Sequence, residues 1–254
     1  MLLYGPPGCG KTQAAKYVAA QLQLPLLTGR LDGLVSSFLG STAKNIRALF
    51  DFADKTPCIL FLDEFDAVAK KRDDEHELGE LKRVVNSLIQ NIDYLPPGSS
   101  VLAASNHEHL LDPAVWRRFE FHVEITPPTE EGRRQLLRLY SPNSPPAMVV
   151  DILTALTDGF TASEIEGLAT YLARRLALNG QTKLPLREAV HGLVTYRARS
   201  TSNNRSSPWP EELDQLIPAW RKLRPRVFTY DVISEIFGIS RSKISALVKG
   251  SRSG

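Results

Sequence analysis

Gly5-Pro6-Pro7-Gly8-Cys9-Gly10-Lys11-Thr12 decides how the rest of the chain is read. The stretch follows Gly-x4-Gly-Lys-Thr, the pattern of a phosphate-cradling loop. Glycines let the backbone curl until successive N–H groups point at phosphate oxygens. In this pattern Lys11 brings a point charge to the β- and γ-phosphates, and the Thr12 hydroxyl is a ligand for Mg2+. The apolar run Leu2-Leu3-Tyr4 stands ahead of the loop, and a helical pattern from Thr12 to Leu22 follows it. That strand–loop–helix order is what the motif requires, because a helix N-terminus adds partial positive charge at the phosphates. A glycine-rich turn with a chance lysine is the plainer reading, and it leaves the agreement of motif and context unexplained.

A phosphate loop needs carboxylates opposite it. Cys58-Ile59-Leu60-Phe61-Leu62 is a continuous apolar run, as expected of a strand buried on both faces of a parallel sheet. It ends in Asp63-Glu64-Phe65-Asp66. Carboxylates at the C-terminal end of such a strand face the ligand crevice of an α/β sheet. Asp63 is expected to hold Mg2+, directly or through water, and Glu64 to polarise an attacking water as general base. The plainer role of an acidic residue here, a helix N-cap, fits Asp66.

Outward from these two motifs the chain alternates strands and helices. Leu24–Gly29, Val101–Ser105 and Phe121–Ile125 read as further strands, with Asn106 at the end of the second of these. A helix starting at Ser41 carries Ile46, Leu49, Phe50 and Ala53 on one face. Leu78, Leu81, Val84, Val85, Leu88, Ile89 and Ile92 form a second apolar stripe, read as core. Leu111–Phe119 is a short helix ending in Arg117 and Arg118. About five strands with helices between them predict an α/β fold, a three-layer αβα sandwich on a parallel sheet, over residues 1–127.

Beyond it the character changes. Residues 128–198 show helices and no strand signal, with Thr161-Ala162-Ser163-Glu164 as a capping box, and predict a small helical lid. Residues 199–227 read as linker and basic patch, the patch being Arg221–Arg226. Residues 228–254 read as a helix-turn-helix, with Tyr230–Phe237, a stop at Gly238, and a second helix from Ser240 to Lys249. Ile233, Phe237, Ile239, Ile244 and Leu247 are placed to pack the pair. Arg241, Ser242 and Lys243 are placed to face outward, where a DNA reader contacts bases and phosphates. The alternative is a helical pair that packs on the lid or mediates assembly.

Of 254 residues, 43% are hydrophobic and 23% charged, an ordinary soluble composition. The net charge of +3 is unevenly placed: residues 195–254 carry 11 Lys/Arg against 5 Asp/Glu, the rest 20 against 23. A basic tail suggests an anionic partner, or simply a solvated face. The two cysteines have neither metal-ligand nor disulfide-framework spacing, which points to a reducing, cytoplasmic setting. No apolar run reaches the ~18 residues a membrane helix needs. A domain of this kind is expected to have more chain ahead of its first strand, so the N-terminus is read as truncated.

Over about residues 2–180 these motifs, taken in order, resemble the AAA family of ATPases in its classical subgroup. Gly5–Thr12 looks like its Walker A motif and Ile59–Asp66 its Walker B motif. Asn106 falls at the sensor 1 position, which orients the attacking water. Leu111–Phe119 resembles the second region of homology, so Arg117 and Arg118 match the arginine fingers that reach a neighbouring subunit's γ-phosphate. Phe38-Leu39-Gly40 matches the pore loop that grips polypeptide. Residues 159–165 resemble the lid signature, with Ala162 in place of Gly, Glu164 in place of Asp, and Ser163 where a sensor 2 arginine would stand. The resemblance implies ATP and Mg2+ as ligands, a homo-oligomeric ring, usually a hexamer, and a protein substrate to be remodelled or unfolded. An ATP-dependent regulator or loader on DNA, positioned by the tail, is the alternative.

Overall fold

The apolar runs pair as five parallel strands: β1 (Leu2–Tyr4), β2 (Leu26–Arg30), β3 (Ile59–Asp63), β4 (Ser100–Ser105) and β5 (His122–Glu124), in the order β2-β3-β4-β1-β5. This computed structural model describes residues 1–31, 39–69, 78–141, 143–200 and 213–250. Two strands are shorter than their hydrophobic runs. Leu26 opens β2 because Pro25 has no N–H to give a ladder; its carbonyl still accepts from Ile59 N at 2.9 Å. Phe121 and Ile125 flank β5 rather than belonging to it. They extend its ladder nonetheless, Leu2 N donating to Phe121 O and Ile125 N to Tyr4 O.

Successive residues of a strand point to opposite faces, and the unbroken apolar run of β3 serves both. Leu60 and Leu62 join Leu2, Val101 and Ala103 on one face. There α2 (Leu39–Lys55) and α4 (Leu78–Asp93) cover them with Ile46, Phe50, Leu88 and Ile89. Ile59 and Phe61 point the other way with Leu3, Leu102 and Ala104, against Ala15 and Ala19 of α1 (Lys11–Leu22). Two four-residue helices, α3 (Asp66–Ala69) and α5 (Pro113–Trp116), follow β3 and precede β5. These elements make one compact unit, Met1–Pro127. Helix α2 begins two residues earlier than the expected start at Ser41.

The second unit, Pro128–Gly254, holds helices with short connections, and no strand, among its described residues. Its helices are α6 (Glu130–Tyr140), α7 (Ala147–Leu156), α8 (Ala162–Leu178), α9 (Leu186–Ser200), α10 (Leu213–Leu223), α11 (Tyr230–Phe237) and α12 (Arg241–Gly250). The capping box forms as read: Glu164 N donates to Thr161 Oγ1 and Thr161 N to Glu164 Oε2, at 3.3 and 2.7 Å.

One feature departs from the sequence reading, and another follows the alternative that the reading left open for the tail. Helix α10 stands in the stretch taken as linker and basic patch. Pro218 inside it reads as a breaker, yet Leu216, Ile217 and Trp220 are buried on one side and hold it. The tail, moreover, shares its core with the lid. Leu216, Trp220, Phe228, Ile233 and Ile244 lie in one apolar cluster with Leu137, Ile152 and Leu172. Part of the basic patch is structural as well. Arg224 makes a two-pronged pair with Glu130, at 2.9 and 2.6 Å, and Arg221 lies over the Tyr230 ring and donates to Phe228 O.

Candidate active site

The phosphate-type loop is shaped by backbone that glycine alone adopts freely. Gly8 and Gly10 have φ of 76° and 106°. Gly5, at φ 133°, has a second constraint: a Cβ there would strike the carbonyl of Ile125. Gly10 caps α1 without a side chain, and the first turn of α1 holds no acidic residue. Its N-terminal N–H groups and partial positive charge are thus left to an anion. Lys11 is only 8% exposed. Its Nζ donates to Gly5 O and Pro6 O at 2.7 and 2.9 Å, which keeps the ammonium inside the loop. Burial pushes its pKa below the ordinary lysine value, opposed in turn by Cys9, Asp63, Asp66 and Glu108.

Because β4 lies between β1 and β3, the ends of three adjacent strands meet here. Thr12 Oγ1 donates to Asp63 Oδ2 at 3.2 Å. The other carboxylate oxygen of Asp63 accepts from Glu64 N at 2.9 Å. Glu64, half-buried, is held at φ 54° in the left-handed region. Phe65 N donates to Ala104 O, and Ala67 N to Glu64 O. Asp66 does more than begin α3. Its Oδ1 accepts from Ser105 Oγ at 3.1 Å and Asn106 N at 3.4 Å, tying the end of β4 to that of β3. Asn106 is half-buried and follows β4, the strand between β1 and β3. A hydroxyl and a carboxylate side by side, next to a glycine-formed anion cradle, are a donor set that fits Mg2+ bound with a phosphate chain.

The model of the family described as "ATPase family associated with various cellular activities (AAA)" matches residues 1–127, the whole of the first unit. The chain belongs to the AAA family. Among curated AAA relatives, an uncharacterized AAA family ATPase of Sinorhizobium fredii is 41% identical over 208 residues, covering 82% of this chain and 63% of that protein. An ATP-dependent zinc metalloprotease FtsH 1 of Thermoanaerobacter is 38% identical over 206 residues, covering 76% and 34%. A proteasome-activating nucleotidase of Sulfurisphaera tokodaii is 32% identical over 209 residues, covering 79% and 53%. The chain thus spans from about a third to just under two thirds of the length of these relatives.

Arg117 and Arg118, the two candidate arginines, are not equivalent. Asp112 caps α5, its Oδ1 accepting from Ala114 N at 2.7 Å, and the helix ends at Trp116. Arg117 is exposed. Arg118 pairs with Asp93, the last residue of α4, at 3.2 Å. Sequence reasoning missed Asp93, which looks like any acid on a solvated helix end, and gave Asp66 only a capping role. Phe38 lies outside the described residues, and Leu39 is the first residue of α2. In the second unit Arg241, Ser242 and Lys243 are exposed on α12, with Arg241 paired to Asp231 and Lys243 N donating to Ser240 Oγ. Among the described residues no group of three or more His, Cys, Asp or Glu is placed to hold a metal ion. No helix of the described residues is long and apolar enough to cross a membrane.

Proposed function

We propose that this chain is a Mg-dependent ATP hydrolase that works as a cytoplasmic ring of identical subunits, a hexamer, and uses hydrolysis to remodel or unfold a protein substrate. The observation that carries the reading is the Thr12–Asp63 contact with Glu64 next in the chain. Thr12 and Asp63 would hold Mg2+, which when bound neutralises charge on the phosphate oxygens. Gly5, Pro6, Pro7, Gly8, Cys9 and Gly10 supply the backbone of the cradle. Lys11 exchanges its carbonyl partners for phosphate oxygens. Glu64 takes a proton from the attacking water, and Asn106 orients that water. Arg117 and Arg118 are offered to the neighbouring subunit, where a guanidinium steadies the charge of the transferring phosphoryl group. Hydrolysis then depends on assembly. A protein substrate gripped by Phe38 and Leu39 is supported by the names of two relatives, a protease and a proteasome activator.

A second reading has its own observation. The exposed Arg241, Ser242 and Lys243 at the start of α12 support a role on DNA as an ATP-dependent regulator or loader. One titration separates the readings: Mg-ATPase rate per chain against protein concentration, with and without DNA, for wild type and Glu64→Gln. The expected result is a rate per chain that climbs steeply with concentration, vanishes in Glu64→Gln and ignores DNA. A rate per chain independent of concentration refutes the trans arrangement. Stimulation by DNA that disappears on replacing Arg241 and Lys243 by Ala favours the second reading.

A further inference from the structure

Two aromatic contacts bracket Arg117 and Arg118 and lead back to the phosphate site of the same chain. Trp116, immediately before Arg117, meets Tyr4 edge-on, with 5.5 Å between ring centres and 63° between planes. Tyr4 ends β1, and the next residue is Gly5 of the loop. Phe119, immediately after Arg118, meets Phe65 edge-on at 5.5 Å and 83°. Phe65 is the residue after Glu64, and both phenylalanines are buried. Trp116 is fixed from a second side as well: it stacks at 4.2 Å on His122, whose Nε2 lies 3.0 Å from the Trp116 carbonyl. Helix α5 is only four residues long, so it supplies little stiffness of its own. The arginine segment therefore takes its orientation from rings that adjoin the loop and the carboxylate strand. A closely packed ring pair moves together or loses contact.

We propose that Trp116 is a positioning residue. Through Tyr4 on one side, with Phe119 and Phe65 on the other, the arrangement of a subunit's own phosphate site sets where its arginines stand for the neighbour. This rests on the reading that Arg117 and Arg118 act in trans. It adds the route by which a subunit's own nucleotide site and its outgoing arginines are joined.

Mixed assemblies test it. Glu64→Gln chains offer arginines but do not hydrolyse, whereas chains with Arg117→Ala and Arg118→Ala hydrolyse only beside a neighbour that offers them. Mixing the two is expected to restore Mg-ATPase activity. Trp116→Leu, or separately Tyr4→Leu, is then added to the Glu64→Gln chain alone, whose own site is already silent. The restored kcat is expected to fall about ten- to a hundredfold, with KM for ATP unchanged. ATP binding and assembly of the altered chain should be retained, and Trp116→Phe or Tyr4→Phe should recover most of the rate. Full restoration by the Trp116→Leu chain overturns the proposal. So does loss with Trp116→Leu but full restoration with Tyr4→Leu, which reduces Trp116 to local packing. If Glu64→Gln chains with native Trp116 restore nothing, the trans reading fails, and this inference falls with it.

Discussion

At Glu64 the side chain proposed as general base sits on backbone that it does not favour. A residue with a Cβ pays about 1–2 kcal/mol in the left-handed region, and the hydrogen bonds of Glu64 N, Phe65 N and Ala67 N hold this one there. Glu64→Asn, which tolerates that region, is expected to hold the melting temperature of wild type. Glu64→Val is expected to lose about 1–2 kcal/mol by chemical denaturation. Both should abolish hydrolysis, so stability and activity part company at one position. Gly5 is the stricter case. Gly5→Ala combines a positive φ with a clash against Ile125 backbone, and a loss of about 3 kcal/mol or more is expected. These residues were legible because their demands are local: glycine, lysine and threonine at fixed offsets specify a loop by themselves. Asp93 was not, since its meaning comes only from Arg118 being folded against it.

Elements tell the same story over longer distances. Helix α8 announced itself through Thr161 and Glu164, three residues apart, and Thr161→Ala is expected to destabilise by about 1 kcal/mol in thermal melts. Helix α10 hid behind Pro218, because the apolar side that overrides the proline is answered by partners many residues away. The clamp from Arg224, just past α10, to Glu130, at the start of α6, is closed by residues 94 apart, and nothing in either neighbourhood signals it. It does leave a pH signature. Hydrogen bonds from Arg224 hold the Glu130 carboxyl below its ordinary pKa. Its stabilisation is therefore complete above the unfolded value of about 4.3 and fades as pH drops through the lower folded value. The melting-temperature gap between wild type and Glu130→Gln is expected to be present at pH 7 and to narrow as the pH falls below the ordinary carboxylate range and Glu130 takes up its proton. It should be small, since both partners are partly exposed. A gap that persists in acid would exclude this charge pair as its source.

For the whole molecule, the alternation of strands and helices foretold the αβα unit, while the union of lid and tail stood only as an alternative to a DNA-reading tail. Periodicity marks which face of a helix is buried, not against what. Buried Ile217, Trp220, Phe228, Ile233 and Ile244 each contribute about 1.5–3 kcal/mol. Their sum rivals the entire stability of an ordinary domain. A chain ended at Ser200 is therefore expected to bind a hydrophobic dye and to lose cooperative melting of the lid, rather than to leave a trimmed but intact one. That dependence also sets a schedule for biosynthesis. Ile244 follows Leu137 by more than a hundred residues, yet it belongs to the same cluster. During translation the earlier helices emerge with their oily sides uncovered and wait for it. A ribosome that stalls before Ile244 would hold a nascent chain recognisable to chaperones and proteases, so α12 acts as a seal on the helices made before it.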